Sequence, residues 1–143
     1  MSKYLVIGSL FTLCILGLTH CYGGSDPNEG CDTVEATFSS IQTQVFSKNC
    51  TTSECHGKEQ KGNMDLRKSE AYDQLINVTP EDNDASEYKR IVPGDPDSSF
   101  LYLKITGQQA NNEGVDMPKK GDKLCDAKIE AIKQWILNGA NND

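Results

Sequence analysis

Residues 49–61, NCTTSECHGKEQK, restrict this 143-residue chain more than any other stretch. Four residues separate Cys50 from Cys55, and His56 follows the second cysteine at once. The only other histidine, His20, stands at the end of an apolar leader. Thiols and imidazoles are metal and cofactor ligands, and thiols also pair as disulfides. The fold has to give each of these three side chains a partner.

The leader explains why. MSKY carries one Lys, and LVIGSLFTLCILGL follows without a charge. A short basic start and an apolar run too short to span a bilayer comfortably form the pattern of an export signal, here residues 1–20. Leu18 precedes Cys21 by three positions, and the flexible YGGSDPNEG comes next. This resembles a bacterial lipoprotein cleavage site, which implies lipidation of Cys21, a tether over residues 21–31 and a membrane-anchored protein. His20 departs from that pattern, where small residues precede the cysteine, and an ordinary cut nearby with a freely soluble product is the alternative. Either way the destination is outside the cytoplasm: periplasm, outer membrane or cell surface. There, unpaired thiols do not persist. Cys14 belongs to the leader, so Cys31, Cys50, Cys55 and Cys125 all need partners.

Beyond the leader about 120 residues remain, one domain's worth, expected over 32–143. Of 14 Lys and Arg only Lys3 leaves with the leader, so 13 face 21 Asp and Glu, a formal charge of −8. An acidic surface argues against nucleic acid and for a basic or neutral partner. Aromatic residues are 7% of the chain, so a bound cofactor would add apolar mass to a thin core.

The hydrophobic spacing predicts helices. Val34, Phe38, Ile41 and Val45 recur at steps of four, three and four, one helical face with Asp32 or Thr33 as N-cap. A short helix follows from about Ser69, and residues 79–97, with three prolines and many acids, read as loop. SSFLYLKITG predicts a helix from Ser98 or Ser99 to Gly107. The last helix carries Ile129, Ile132, Trp135 and Ile136 on one face, with Gly139 as its stop. No alternating strand pattern of useful length occurs, so the expected class is all-α with long loops. Cys31 precedes the first helix and Cys125 the last, and packing of those helices near their starts would permit a Cys31–Cys125 bridge.

Three chemistries fit the Cys/His cluster. Haem attachment normally uses C-x-x-C-H, so here two further residues would have to bulge between the anchors. In that reading Cys50 and Cys55 bind the porphyrin rim and His56 the iron. A sixth ligand cannot be a second His of the domain, and the thioethers are Met64 and Met117. Met64 is eight residues from His56, too near to cross to the opposite face easily, whereas Met117 sits on a distant loop stiffened by Pro118. Zinc fits the C-x₂₋₄-C spacing, but the sequence supplies no second ligand pair. A Cys50–Cys55 disulfide closing a small loop is the third reading, and it leaves His56 and Met117 without a role.

The flanking segments add a resemblance. FSSIQTQVFSKNCTTSECHG, MDLRKSEAYDQL, RIVPGDPDSSFLYLKITG, Met117-Pro118 and IEAIKQWILNGA, in that order, are similar to small bacterial c-type cytochrome domains, including the planctomycete type. The resemblance spans about Phe38 to Ala140. It implies a class I cytochrome c-like fold of three to five helices around one covalently bound haem c, held by Cys50 and Cys55 with His56 and Met117 as axial ligands. Phe46, Met64, Leu66, Ile91, Val92, Leu101 and Tyr102 are candidate haem-wall residues, each equally explained as ordinary core, and Arg67 and Arg90 are candidate propionate partners. The implied function is single-electron transfer to a redox protein partner, without enzymatic turnover. The alternatives are an open-iron haem sensor or enzyme, and a haem-free surface-binding module stapled by disulfides. Scattered serines without a second His, and glycines without a phosphate-binding pattern, exclude charge relays and nucleotide loops.

Overall fold

The structure is a computed structural model that describes residues 31–52, 54–81 and 85–143. The leader, most of the tether and the lipidation expected at Cys21 lie outside the described residues. The first helix, α1, covers Phe38–Ile41 and runs directly into a π-helical segment, Gln42–Cys50. After a single 3₁₀ turn at Lys61–Asn63 come α2 (Ala71–Leu75), α3 (Phe100–Thr106) and α4 (Asp126–Leu137). Among the described residues there is no strand, only isolated bridges such as Ile76 with Ile91, and the architecture is all-α as expected.

The first helix starts later than its periodicity predicts. Asp32 and Thr33 do not cap it; Thr37 does, its Oγ1 accepting the Ser40 N–H at 3.3 Å. Ser40 in turn accepts the Glu35 N–H at 3.0 Å, the local bonding by which Ser and Thr favour caps over helix interiors. Asp143 completes the cap from far along the chain. Its carboxylate accepts the Phe38 N–H at 2.7 Å and its carbonyl the Ser39 N–H at 2.9 Å, placing negative charge where the helix end favours it.

Past Ile41 the turns widen to i→i+5 bonding. Ser47 Oγ donates to the Gln42 carbonyl at 2.8 Å, and the Thr51 N–H to the Phe46 carbonyl at 3.1 Å. The Gln42 side-chain amide reaches across to the Leu66 carbonyl at 2.9 Å. Ile41, Gln42, Val45 and Phe46 are all buried along this stretch. Such segments gather at functional sites.

α3 and α4 match their expected bounds. Ser99 precedes α3 and Gly107 closes it with φ 70°, a left-handed conformation open to glycine without steric cost. Cys125 stands at the N-cap of α4, and Gly139, with φ 97°, follows its end. α2 begins at Ala71, two residues after the expected start at Ser69.

One hydrophobic cluster joins these elements. Phe38 is at its centre, its ring 5.6 Å from Trp135, 5.1 Å from Tyr72 and 6.4 Å from Phe46, mostly edge-to-face or tilted. Tyr72 donates to the Ala140 carbonyl at 3.0 Å and Trp135 Nε1 to Asn141 at 2.8 Å, so both aromatic dipoles are satisfied. The α1–α4 contact also brings Cys31 and Cys125 together as a disulfide with Cα atoms 6.4 Å apart. It closes a loop across 94 positions, long enough for a large loss of unfolded-state entropy. Replacing both cysteines by Ser should cost about 2–5 kcal/mol of stability. Thermal unfolding of the oxidised protein and of the double variant measures this, and equal melting temperatures would contradict it.

Candidate functional site

A cleft of about 340 Å³ opens between the end of the π-helical segment, α3 and the loop before α4. That volume lies within the range of about 300–1,000 Å³ typical of cofactor sites. Val45, Phe46 and Leu66 form part of its apolar wall, with Leu101 and Ile105 from α3 and Ile132 from α4. Three of the residues singled out from sequence, Cys50, His56 and Met117, face it together.

Backbone hydrogen bonds place the first two. The His56 N–H donates to the Cys50 carbonyl at 3.0 Å, and the Cys55 N–H to the Thr52 carbonyl at 3.1 Å. These two bonds hold Cys55 and His56 back against the end of the π-helical segment. Gly57 makes the turn fit: a Cβ there would lie 2.7 Å from the Thr51 carbonyl oxygen, closer than side chains come to backbone. The His56 carbonyl then accepts the Leu66 N–H at 2.7 Å, tying the turn to the core.

The imidazole is held through one edge. His56 Nδ1 is 2.6 Å from the Lys61 carbonyl oxygen. A carbonyl only accepts, so in the neutral ring Nδ1 carries the proton and Nε2 presents its lone pair, the arrangement that prepares a histidine to bind a metal. Burial lowers the His56 pKa; the Lys61 hydrogen bond opposes this, and the nearby Arg90 charge adds to it in smaller part.

Cys50 and Cys55 are both free thiols in this structure, not bridged to each other. Cys50 lines the cleft, and burial, with some repulsion from Cys55, pushes its pKa up to about 12, so it stays a thiol at neutral pH. Cys55 lies beside the cleft rather than in its wall, half-buried, with Thr52 Oγ1 3.3 Å from its sulfur. Among the described residues no group of three or more His, Cys, Asp and Glu side chains converges on a point.

Met117 is fixed by its backbone, its N–H donating to the Lys104 carbonyl in α3 at 2.8 Å. Met64 also lines the cleft, so both thioethers of the domain border one space. Of the expected wall residues, Phe46, Met64, Leu66 and Leu101 border it, whereas Ile91, Val92 and Tyr102 do not. Ile91 and Tyr102 are instead in the hydrophobic core. Arg90 reaches the cleft; Arg67 does not, and it pairs with the buried Asp65 carboxylate through Nε at 2.9 Å.

Two features of the site escaped the sequence reading. Lys104, 8% exposed, lines the cleft with its ammonium 2.9 Å from the Glu113 carbonyl and 5.6 Å from the Phe100 ring centre. Its signal was the helical step: Leu101, Lys104 and Ile105 are three and four apart on one face. The Lys61 carbonyl has no signal, because a backbone acceptor is common to every residue type.

Compared with protein-family models, curated proteins and solved structures, the chain matches none. Among the described residues no helix is long and apolar enough to cross a membrane.

Two outcomes test this geometry. Gly57→Ala should cost about 1–3 kcal/mol through overpacking against Thr51 and speed amide exchange at His56; wild-type exchange there would refute the close approach. Arg67 beside Asp65 holds that carboxyl at about 2, below its ordinary 3.8. The interaction therefore stabilises fully above the unfolded value and is lost as pH falls from about 4 to 2. In Asp65→Asn the acid limb of a stability–pH profile should flatten over that window.

Proposed function

We propose that the chain is an exported monohaem c-type cytochrome that carries single electrons between redox partners. The observation that carries this reading is the meeting of Cys50 and His56 with Met117, 61 residues beyond His56, around one largely apolar cleft. The donor set suits the group: a neutral imidazole with a free Nε2, a thioether and apolar walls. His56 and Met117 would be the axial ligands, and Cys50 and Cys55 would hold haem c through thioether bonds. The bound haem would supply a one-electron couple, with a potential raised by thioether ligation relative to two imidazoles.

The protein's own part is orientation, burial and docking. The Lys61 carbonyl orients His56, the Lys104 carbonyl anchors Met117, and α3 and α4 shield the interior. Electron transfer needs no substrate at the site, so the reading is of a carrier rather than an enzyme. In this reading the fold is a cytochrome c-like arrangement, with α1 and α4 packed together. The partner would be another redox protein, met briefly through a small interface. The signal over residues 1–20 and Cys21 would deliver the domain to the periplasm or cell surface on a lipid anchor.

Expression with haem-attachment machinery tests the reading. A Soret band, and haem retained on the polypeptide after denaturation, are expected; a colourless protein overturns it. Met117→Ala should remove the weak far-red band of a thioether–iron bond and admit cyanide to the oxidised protein. Met64→Ala should leave both properties unchanged, and the reverse pattern would move the sixth ligand to Met64.

A further inference from the structure

Arg90 is a candidate partner for a cofactor carboxylate, yet its guanidinium is committed to the protein. Nη2 donates to the Gly62 and Asn63 carbonyls, each at 3.1 Å, and Nη1 to the Gln74 carbonyl at 3.0 Å. Only 6% of the residue is exposed. Its own backbone is fixed as well, with the Arg90 N–H 2.7 Å from the Val78 carbonyl and the Leu101 N–H 3.0 Å from the Arg90 carbonyl.

We infer that Arg90 is a positioning residue for His56: by clamping the 60–63 turn it sets the imidazole's orientation and keeps the ring proton on Nδ1. This deepens the haem-ligand reading and rests on it for its purpose. The carbonyl that accepts the His56 Nδ1–H hydrogen bond belongs to Lys61, inside a turn of unusual backbone. Gln60, Gly62 and Asn63 have φ of 46°, 68° and 47°. Left-handed conformations at Gln and Asn are costly and persist where the surroundings over-determine them. Several ties hold the turn: the Gln60 N–H donates to the Gly57 carbonyl at 3.1 Å, the Gln60 side-chain amide to Asp65 at 3.4 Å and the Asn63 side-chain amide to Glu81. The Lys61 N–H donates to the Cys55 carbonyl at 3.2 Å, and Arg90 grips the next two carbonyls. Gly62 also abuts the imidazole, since a Cβ there would be 4.0 Å from His56 Cε1.

Arginine suits this task. A planar fork spans neighbouring carbonyls and reaches a third on α2, whereas a lysine ammonium is a point donor on a flexible stem. Once the clamp is released, the turn can relax, the Lys61 carbonyl moves off Nδ1, and the Nε2–H tautomer competes. That tautomer places a proton on the nitrogen a metal would need.

The haem-free protein, with Cys50 and Cys55 as thiols and the Cys31–Cys125 bridge intact, gives the readout, because the chain beyond residue 20 holds one histidine and its ring ¹⁵N signals are unambiguous. In the neutral ring the wild type should show a dominant Nδ1–H form. Arg90→Gln should shift the tautomer ratio about tenfold toward Nε2–H, the scale of one lost hydrogen bond. Arg90→Lys should shift it less, and it decides by the same signal if Arg90→Gln does not fold. Gly62→Ala, which strains the turn and leaves Arg90 in place, should shift it in the same direction. A wild-type tautomer ratio in folded Arg90 variants would overturn the inference, as would a dominant Nε2–H form in the wild type. Haem incorporation is scored separately on the wild type, so failure of the cytochrome reading and failure of this one give different results.

Discussion

The contact between Phe38 and Trp135 is the constraint from which the rest follows. It fixes α1 against α4, and those two helices carry the ends of the described chain. With them fixed, Cys31 meets Cys125, Asp143 reaches the first N–H groups of α1, and the π-helical segment has one direction in which to run. That direction delivers Cys50 to the cleft. Lys128 of α4 steadies the same end, its ammonium 3.1 Å from the Asn49 amide oxygen.

How much of this was legible depends on the range of the interaction that decides each element. α3 and α4 were readable because local chemistry sets them: an apolar face at helical steps, a cap before it and a left-handed glycine after it. The start of α1 was not readable, because Asp143 and the Thr37–Ser40 bonds outcompete the extension that Val34 invites. The π-helical widening was invisible for a different reason. The same side chains serve i→i+4 and i→i+5 bonding, and the long-range bond from Gln42 to the Leu66 carbonyl has no local signal.

The site divides along the same line. Cys50, His56 and Met117 were chosen for their donor atoms, and the fold sets all three around one cleft. What orients them was hidden, since the partners are carbonyls of Cys50, Lys61 and Lys104. Arg90 illustrates the limit well. Its charge suggested an anionic partner, yet in a buried setting a guanidinium is stabilised as well by several carbonyl dipoles, and here it has three.

The unusual spacing of the cysteines follows from this backbone logic. Two residues more than the usual attachment segment would displace His56 if the chain ran on as a helix. Instead the π-helical segment ends at Cys50, and the Cys50 carbonyl receives the His56 N–H directly. The histidine's place is then set from Cys50 and Lys61, not by counting residues from Cys55. Gly57, where a Cβ would lie 2.7 Å from the Thr51 carbonyl oxygen, lets the chain after His56 pass this close to Thr51.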